Sequence, residues 1–378
     1  MTDLTPLIEH PELDDLLNDI RQRANDFEAQ CHIDKDIIER FKKIGVYRAF
    51  VPKRFGGEER TPSDFLSLIE AISMADGSAG WVASFGMNPF YLGGLPLETI
   101  EKVWNETPDV VFAGAIFPMC PAQEMSEGYT VSGRWKFASG CMGSSLIGVG
   151  IKPDAEGELP RMAVVPVEAV QIDETWDMIG MRATGSHDVV LENITVPKEW
   201  TFVRGGSTSL TEPLFKYPSL SLATQVLAVT TLGLARESLN IITNEAKGRK
   251  SVTGAPNLGE REYVQIAIGK AQAQVHACKA FFYQATDDVW ATISAGNEPT
   301  AEQINLLRLS SSHLTHECVD VVRTVYKMMG MTSAQNDHSM TRIYRDASLV
   351  AQHAFMGEIT FRNAGAMAFG HAPYPGYL

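Results

Sequence analysis

No run of eighteen apolar residues occurs in the 378-residue sequence, which excludes a membrane-spanning helix. Basic residues are in deficit. Thirty-two Lys and Arg stand against 46 Asp and Glu, and the net charge of −14 argues against nucleic acid or an anionic membrane as partner. The acidity is spread along the chain, with no polyacidic tail. Cysteine is sparse: Cys31, Cys120, Cys141, Cys278 and Cys318 show no CxxC spacing. That set excludes a disulfide framework and a zinc site and points to a reducing, cytoplasmic location. The N-terminal MTDLTPLIEHPELDDLL has no apolar h-region, so it does not read as a signal peptide. GxGxxG and Walker A motifs are both missing. His313-x-x-His316-Glu317 has its glutamate in the wrong place for HExxH or HxxEH, so no metal is expected and the pair reads as surface or interface histidines.

What is present changes texture twice. Leu13, Leu16, Leu17 and Ile20, then Ile37, Ile38, Phe41 and Ile44, recur at helical spacing, and a further apolar-periodic stretch runs from Phe65 through Ile72. From about 109 the segments become short and β-branched, as in Tyr129-Thr130-Val131, Arg161 to Val167 and Val189 to Val196, with Gly, Pro, Asp and Asn between them. Helical spacing returns after about 215. It is clearest in Ile304, Leu307, Leu314, Cys318, Val321, Val325 and Met328, with comparable stretches at 220–246, 260–295 and 341–369. The expected fold class is α+β, mostly α: an N-terminal helical domain (1–108), a middle antiparallel β-domain (109–210) and a C-terminal helical bundle (211–378). Helices this long and apolar fit a bundle whose outer faces are covered by another subunit.

Three segments carry a resemblance. They are Val131-Ser-Gly-Arg-Trp-Lys-Phe-Ala-Ser-Gly140, Ile179-Gly-Met-Arg-Ala-Thr-Gly-Ser-His-Asp to Pro197, and Arg342-Ile-Tyr-Arg-Asp-Ala347. In this order and spacing they resemble the acyl-CoA dehydrogenase superfamily, and the bundle is then expected to contain four helices. The chain departs from the dehydrogenases where they keep the carboxylate base that removes the substrate α-proton. The position nine residues beyond the arginine of the RDA motif is Ala354, and the alternative position, ten residues before a glycine resembling Gly233, is Ala223. Neither can act as a base. His353 beside Ala354, together with Gly77-Ser-Ala-Gly-Trp-Val82 and the Phe-Ala-Ser-Gly turn, resembles the two-component flavin monooxygenases that share the dehydrogenase fold.

That resemblance implies an oxygenase component that takes reduced flavin (FMNH2 or FADH2) from a separate NAD(P)H:flavin reductase. It would react the flavin with O2 to a C4a-hydroperoxide, transfer oxygen to an aromatic ring, and assemble as a homotetramer. Ser139 matches the hydroxyl residue placed against the flavin ring, where it would hold the N5 proton. His353 would donate to the bound oxygen, its ordinary pKa of about 6.5 suiting proton exchange near neutrality. Cofactor contacts are expected from Ser139, Gly140, Trp135, Thr184, Ser186 and Arg249. The Arg249-Lys-Ser-Val-Thr253 and Met329-Gly-Met-Thr332 stretches have lost the family's glycine-dependent close approaches to FAD. Trp81, Phe85, Phe90, Trp135 and Phe137 are candidates for the apolar lining, with Trp81, Phe90 and Asn88 expected at the substrate. Phenol-oxidising relatives carry a histidine where this chain has Asn88; an amide cannot take a phenol proton but can accept from an N–H. Indole or indole-3-acetate is therefore the expected substrate. Hydroxylation of another aromatic or sulfur heterocycle, and acyl-CoA dehydrogenation, are the alternatives.

Overall fold

A computed structural model of the chain describes residues 10–154, 160–248 and 255–378. Six helices come first: α1 (Leu13–Gln30), α2 (Lys35–Lys43), α3 (Pro62–Ala75), α4 (Gly77–Ala83), α5 (Pro89–Leu92) and α6 (Leu97–Glu106). Local chemistry sets the boundary that matters most for the site. Thr61 caps α3 by accepting from the Asp64 N–H, with Pro62 at the first helical position. Asp76 ends α3 in extended conformation and caps α4 by accepting from the Ala79 N–H at 2.9 Å. The chain therefore turns sharply at Asp76-Gly77 without breaking its apolar packing.

Seven strands follow: β1 (Phe112–Met125), β2 (Gly128–Ala138), β3 (Leu146–Pro153), β4 (Arg161–Pro166), β5 (Gln171–Asp173), β6 (His187–Pro197) and β7 (Thr201–Val203). They form one sheet in the order β5-β6-β2-β1-β3-β4-β7. The sheet is mixed, which corrects the antiparallel expectation. After the β1–β2 hairpin the chain crosses back through Cys141–Gly143, so β3 enters beside β1 running the same way, pairing Phe112 with Leu146 and Ala115 with Val149.

The last third holds α7 (Ser219–Glu245), α8 (Glu262–Ser294), α9 (Ala301–Met329), α10 (Ser339–Val350) and α11 (Ile359–Ala368). Helix α7 packs on α3, α9 and α10, and α8 packs on α9, so α3 from the first third completes the helical core. The stretch expected as one helix over 341–369 is two. The break at 351–358 has a physical cause: the His353 ring nitrogen Nδ1 accepts from the Phe355 N–H at 3.3 Å, and His316 Nε2 donates to the Met356 carbonyl at 2.8 Å. The His313/His316 face of α9 thus carries the turn on which His353 sits. Among the described residues no helix is long and apolar enough to cross a membrane.

Candidate active site

The turn after β2 brings the first group of functional side chains together. Gly140 is held at φ 75°, a left-handed conformation that suits glycine, and its N–H donates to the Thr184 carbonyl at 2.8 Å. A Cβ there would sit 3.6 Å from Val82 and 3.8 Å from Phe85, so this turn lies directly against the C-terminal end of α4. The neighbouring Ser139 is buried and its Oγ lies 2.6 Å from Ser186 Oγ, which lies 2.6 Å from Thr184 Oγ1. Thr184 Oγ1 donates in turn to the Met181 carbonyl at 2.9 Å.

A carbonyl oxygen can only accept, so this relay runs one way. Thr184 spends its proton on Met181, Ser186 spends its proton on Thr184, and Ser139 spends its proton on Ser186. Ser139 Oγ is left with lone pairs and no proton to offer. The Met181 carbonyl is further committed by Trp176, whose Nε1–H donates to it at 2.9 Å. Trp176 also meets Phe137 edge-on at 6.1 Å; Phe137 is 57% exposed and held at φ 67°, which turns its ring outward.

His353 supplies the second group. Its ring lies 5.9 Å from Trp81 of α4, edge to face, and Trp81 Nε1 is buried without a partner. Burial, reinforced by the positive charge of Arg204, holds the imidazole down at a pKa of about 4. His353 is therefore neutral at pH 7, not exchanging protons as its ordinary pKa had implied. With Nδ1 accepting from Phe355, the hydrogen sits on Nε2, a fixed donor.

A cavity of about 70 Å³ opens beside these groups. Phe112, Gly114 and Ile116 line it from β1, where the period of two places them on one face. Met162 of β4 and Phe202 of β7 face them, and Phe85 and Tyr91 close the side nearest α4 and α5. Among the described residues that line the cavity, Arg204, just past β7, is the one charged group, and none is a carboxylate. Ala223 is buried in α7 and Ala354 lies in the turn beside His353, so neither position where a dehydrogenase keeps its base carries an acid.

Several expected contacts fall elsewhere. Trp135 is fully buried in the core of the β-domain, its Nε1–H donating to the Gly150 carbonyl at 2.7 Å. Asn88 is also buried and does not line the cavity: its Nδ2 donates to the Val110 carbonyl at 3.1 Å and leans on that of Tyr47, tying α5 to the strand entry. Its Oδ1 has no partner. Phe90 packs between Phe50 and Phe215 rather than on the cavity. Arg249 lies outside the described residues. Arg204, Tyr91 and Trp176 escaped the sequence reading. A lone arginine ending an apolar strand before Gly205-Gly206, in an acidic chain, was the available signal for Arg204.

These groups fit a flavin ring: a buried hydroxyl able only to accept, an unpaired indole N–H at Trp81, and the outward-turned Phe137 ring nearby. Comparison with known proteins agrees. Residues 225–358 match the acyl-CoA dehydrogenase C-terminal domain family. The chain is 50% identical over 376 residues to an indole-3-acetate monooxygenase of Pseudomonas putida, covering 98% of this chain and 97% of that one. It is 51% identical over 372 residues to another of the same name from Acinetobacter baumannii, covering 97% and 96%. The structure of the 3-HSA hydroxylase from Rhodococcus sp. RHA1 superposes with a TM-score of 0.90 at 25% identity, covering 97% and 98% of the two chains.

Proposed function

This chain belongs to the flavin-dependent monooxygenases of acyl-CoA dehydrogenase fold that include the indole-3-acetate monooxygenases, and on that premise we propose that its cavity binds an indole-type aromatic for oxygenation. Reduced flavin, when bound, supplies the two electrons that let one atom of O2 enter the ring while the other leaves as water. The observation that carries the reading is the one-way hydroxyl relay ending at Ser139, together with a neutral His353 and alanine at both positions where a dehydrogenase keeps its base.

Each side chain has a stated task. Ser139 Oγ, able only to accept, would hold the N5 proton of a bound reduced flavin and so favour transfer of oxygen to substrate over release of peroxide. Thr184 and Ser186 hold that hydroxyl in its accepting orientation. Gly140 lets the turn approach α4. His353 Nε2–H would donate to the oxygen to be transferred, and because the ring stays neutral it would give a hydrogen bond without releasing a proton. Trp81 backs the imidazole, and the apolar cavity walls exclude water. An electron-rich indole needs no deprotonation, so the site requires no general base at the substrate. Asn88 ties α5, which carries Tyr91, to the entry of β1.

The same reading assigns a separate NAD(P)H:flavin reductase as partner, a homotetrameric assembly and a cytoplasmic location. The half-exposed Tyr263 and Ile266 on the outer face of α8 support a subunit contact there. The test combines the protein with a flavin reductase, NADH and either an indole or butyryl-CoA. Hydroxylated indole products, with indigo from free indole, are expected, and no change in the thioester. Peroxide as the only product with every indole would overturn the proposal.

A further inference from the structure

Arg204 is the one residue on the cavity wall that oxygenation of a bare aromatic ring does not require. Around it the wall is apolar, with Phe112, Ile116, Met162 and Phe202 contributing no hydrogen-bonding side-chain atom. Its guanidinium pairs with no carboxylate among the described residues; the polar group beside it is the Tyr91 hydroxyl. Its charge also reaches His353, so the guanidinium lies near the imidazole as well as on the cavity wall. An uncharged ring filling this space would cover a guanidinium without pairing it, which is costly. A carboxylate would instead meet the planar fork of donors that guanidinium presents.

The cavity is small, about 70 Å³, and half-open, so a short acid arm of a bound substrate can enter it beside the guanidinium. Gly114 keeps the floor of the cavity free of a side chain on the β1 face.

We infer that Arg204, with Tyr91, binds the carboxylate of the substrate's side chain, so that the site selects an indole bearing a short acid arm over free indole. The inference rests on the proposed function, and its test is arranged so that the two fail separately. Equilibrium binding of indole-3-acetate, indole-3-acetamide and 3-methylindole is measured by calorimetry on the flavin-free protein, for wild type, R204M and R204K. Wild type is expected to bind the acid about tenfold or more tightly than either neutral analogue. R204M should bring that ratio to near one, and R204K should retain part of it. A wild type without preference for the acid overturns the inference, as does an R204M that keeps the wild-type ratio. Should R204M not fold, R204K still decides: a ratio equal to that of wild type argues against planar recognition by this arginine. Loss of flavin binding in R204M with the acid preference intact would reassign Arg204 to the cofactor and overturn the inference. A protein that prefers the acid but oxygenates no indole with a reductase would contradict the proposed function while leaving Arg204's role standing.

Discussion

Ser139 owes its proposed role to where its own proton goes. A serine hydroxyl ordinarily donates or accepts, and the choice here is made three hydrogen bonds away, at the Met181 carbonyl that takes the Thr184 proton at 2.9 Å. Ser139→Ala removes the acceptor. Losing one such hydrogen bond, at about 1 kcal/mol, predicts roughly a fivefold rise in peroxide released relative to product. Ser186→Ala leaves the Ser139 oxygen in place but frees its hydroxyl to rotate and donate, so a smaller rise is expected. Simultaneous assay of NADH consumed, peroxide and hydroxylated indole reads both. Unchanged coupling in S139A, or a larger loss in S186A than in S139A, would contradict the relay. His353 shows how environment overrides residue type: an ordinary imidazole suggested proton exchange, whereas burial beside Arg204 makes it a neutral donor.

The elements explain why three separated sequence segments travel together. The loop containing Gly180 and Met181 docks on α10, where a Cβ on Gly180 would lie 2.5 Å from the Arg345 carbonyl, and the Met181 N–H donates to Asp346 Oδ1 at 2.5 Å. Arg342 of the same helix faces Asp76, the cap of α4, at 3.3 Å. The β6 entry loop, α4 and the RDA helix therefore meet at a buried acid pair, and the Met181 carbonyl that directs the hydroxyl relay belongs to the same loop. Burial and the neighbouring Asp76 push the Asp346 carboxyl up to about 7. Unfolded, it titrates near 3.9. Between those values the folded chain holds the proton and the unfolded chain does not, so this group's contribution to stability falls as pH rises from about 4 to 7. Asp346→Asn keeps an acceptor for Met181 and carries no charge. The melting-temperature difference, wild type minus D346N, is thus expected to become more negative from pH 4.5 to 7.5. A constant difference would show that Asp346 is not protonated in the fold.

Seen as a whole, the molecule was legible in the sequence wherever periodicity or a local motif determined the answer. Helix spacing at Leu13–Ile20 and Ile304–Met328 and the β-branched segments between yielded the mostly helical α+β class, which the fold matches. Ser139, Gly140, Thr184 and Ser186 were expected from the family resemblance of two short segments, which the β2–β6 ladder brings side by side. Other features depended on distances that no segment contains. The parallel β1–β3 pairing needs a crossover, and the break before α11 depends on His316 reaching Met356 from another helix. Trp135 read as a cofactor contact because its strand ends at the site, yet the alternation of β2 turns it into the sheet's own core. Arg204 was hidden for the opposite reason: it has no motif, and only the pairing of β7 with β4 brings it to the cavity that β1 also lines.

Insertion of an atom of O2 into an indole ring by this chain with reduced flavin is read out by isotope tracing. The protein, a flavin reductase, NADH and indole-3-acetate are incubated under 18O2 in ordinary water, and the product is weighed by mass spectrometry. One 18O atom per hydroxylated ring is the predicted result. Product carrying only 16O, or unaltered indole-3-acetate with the NADH recovered wholly as peroxide, would contradict it.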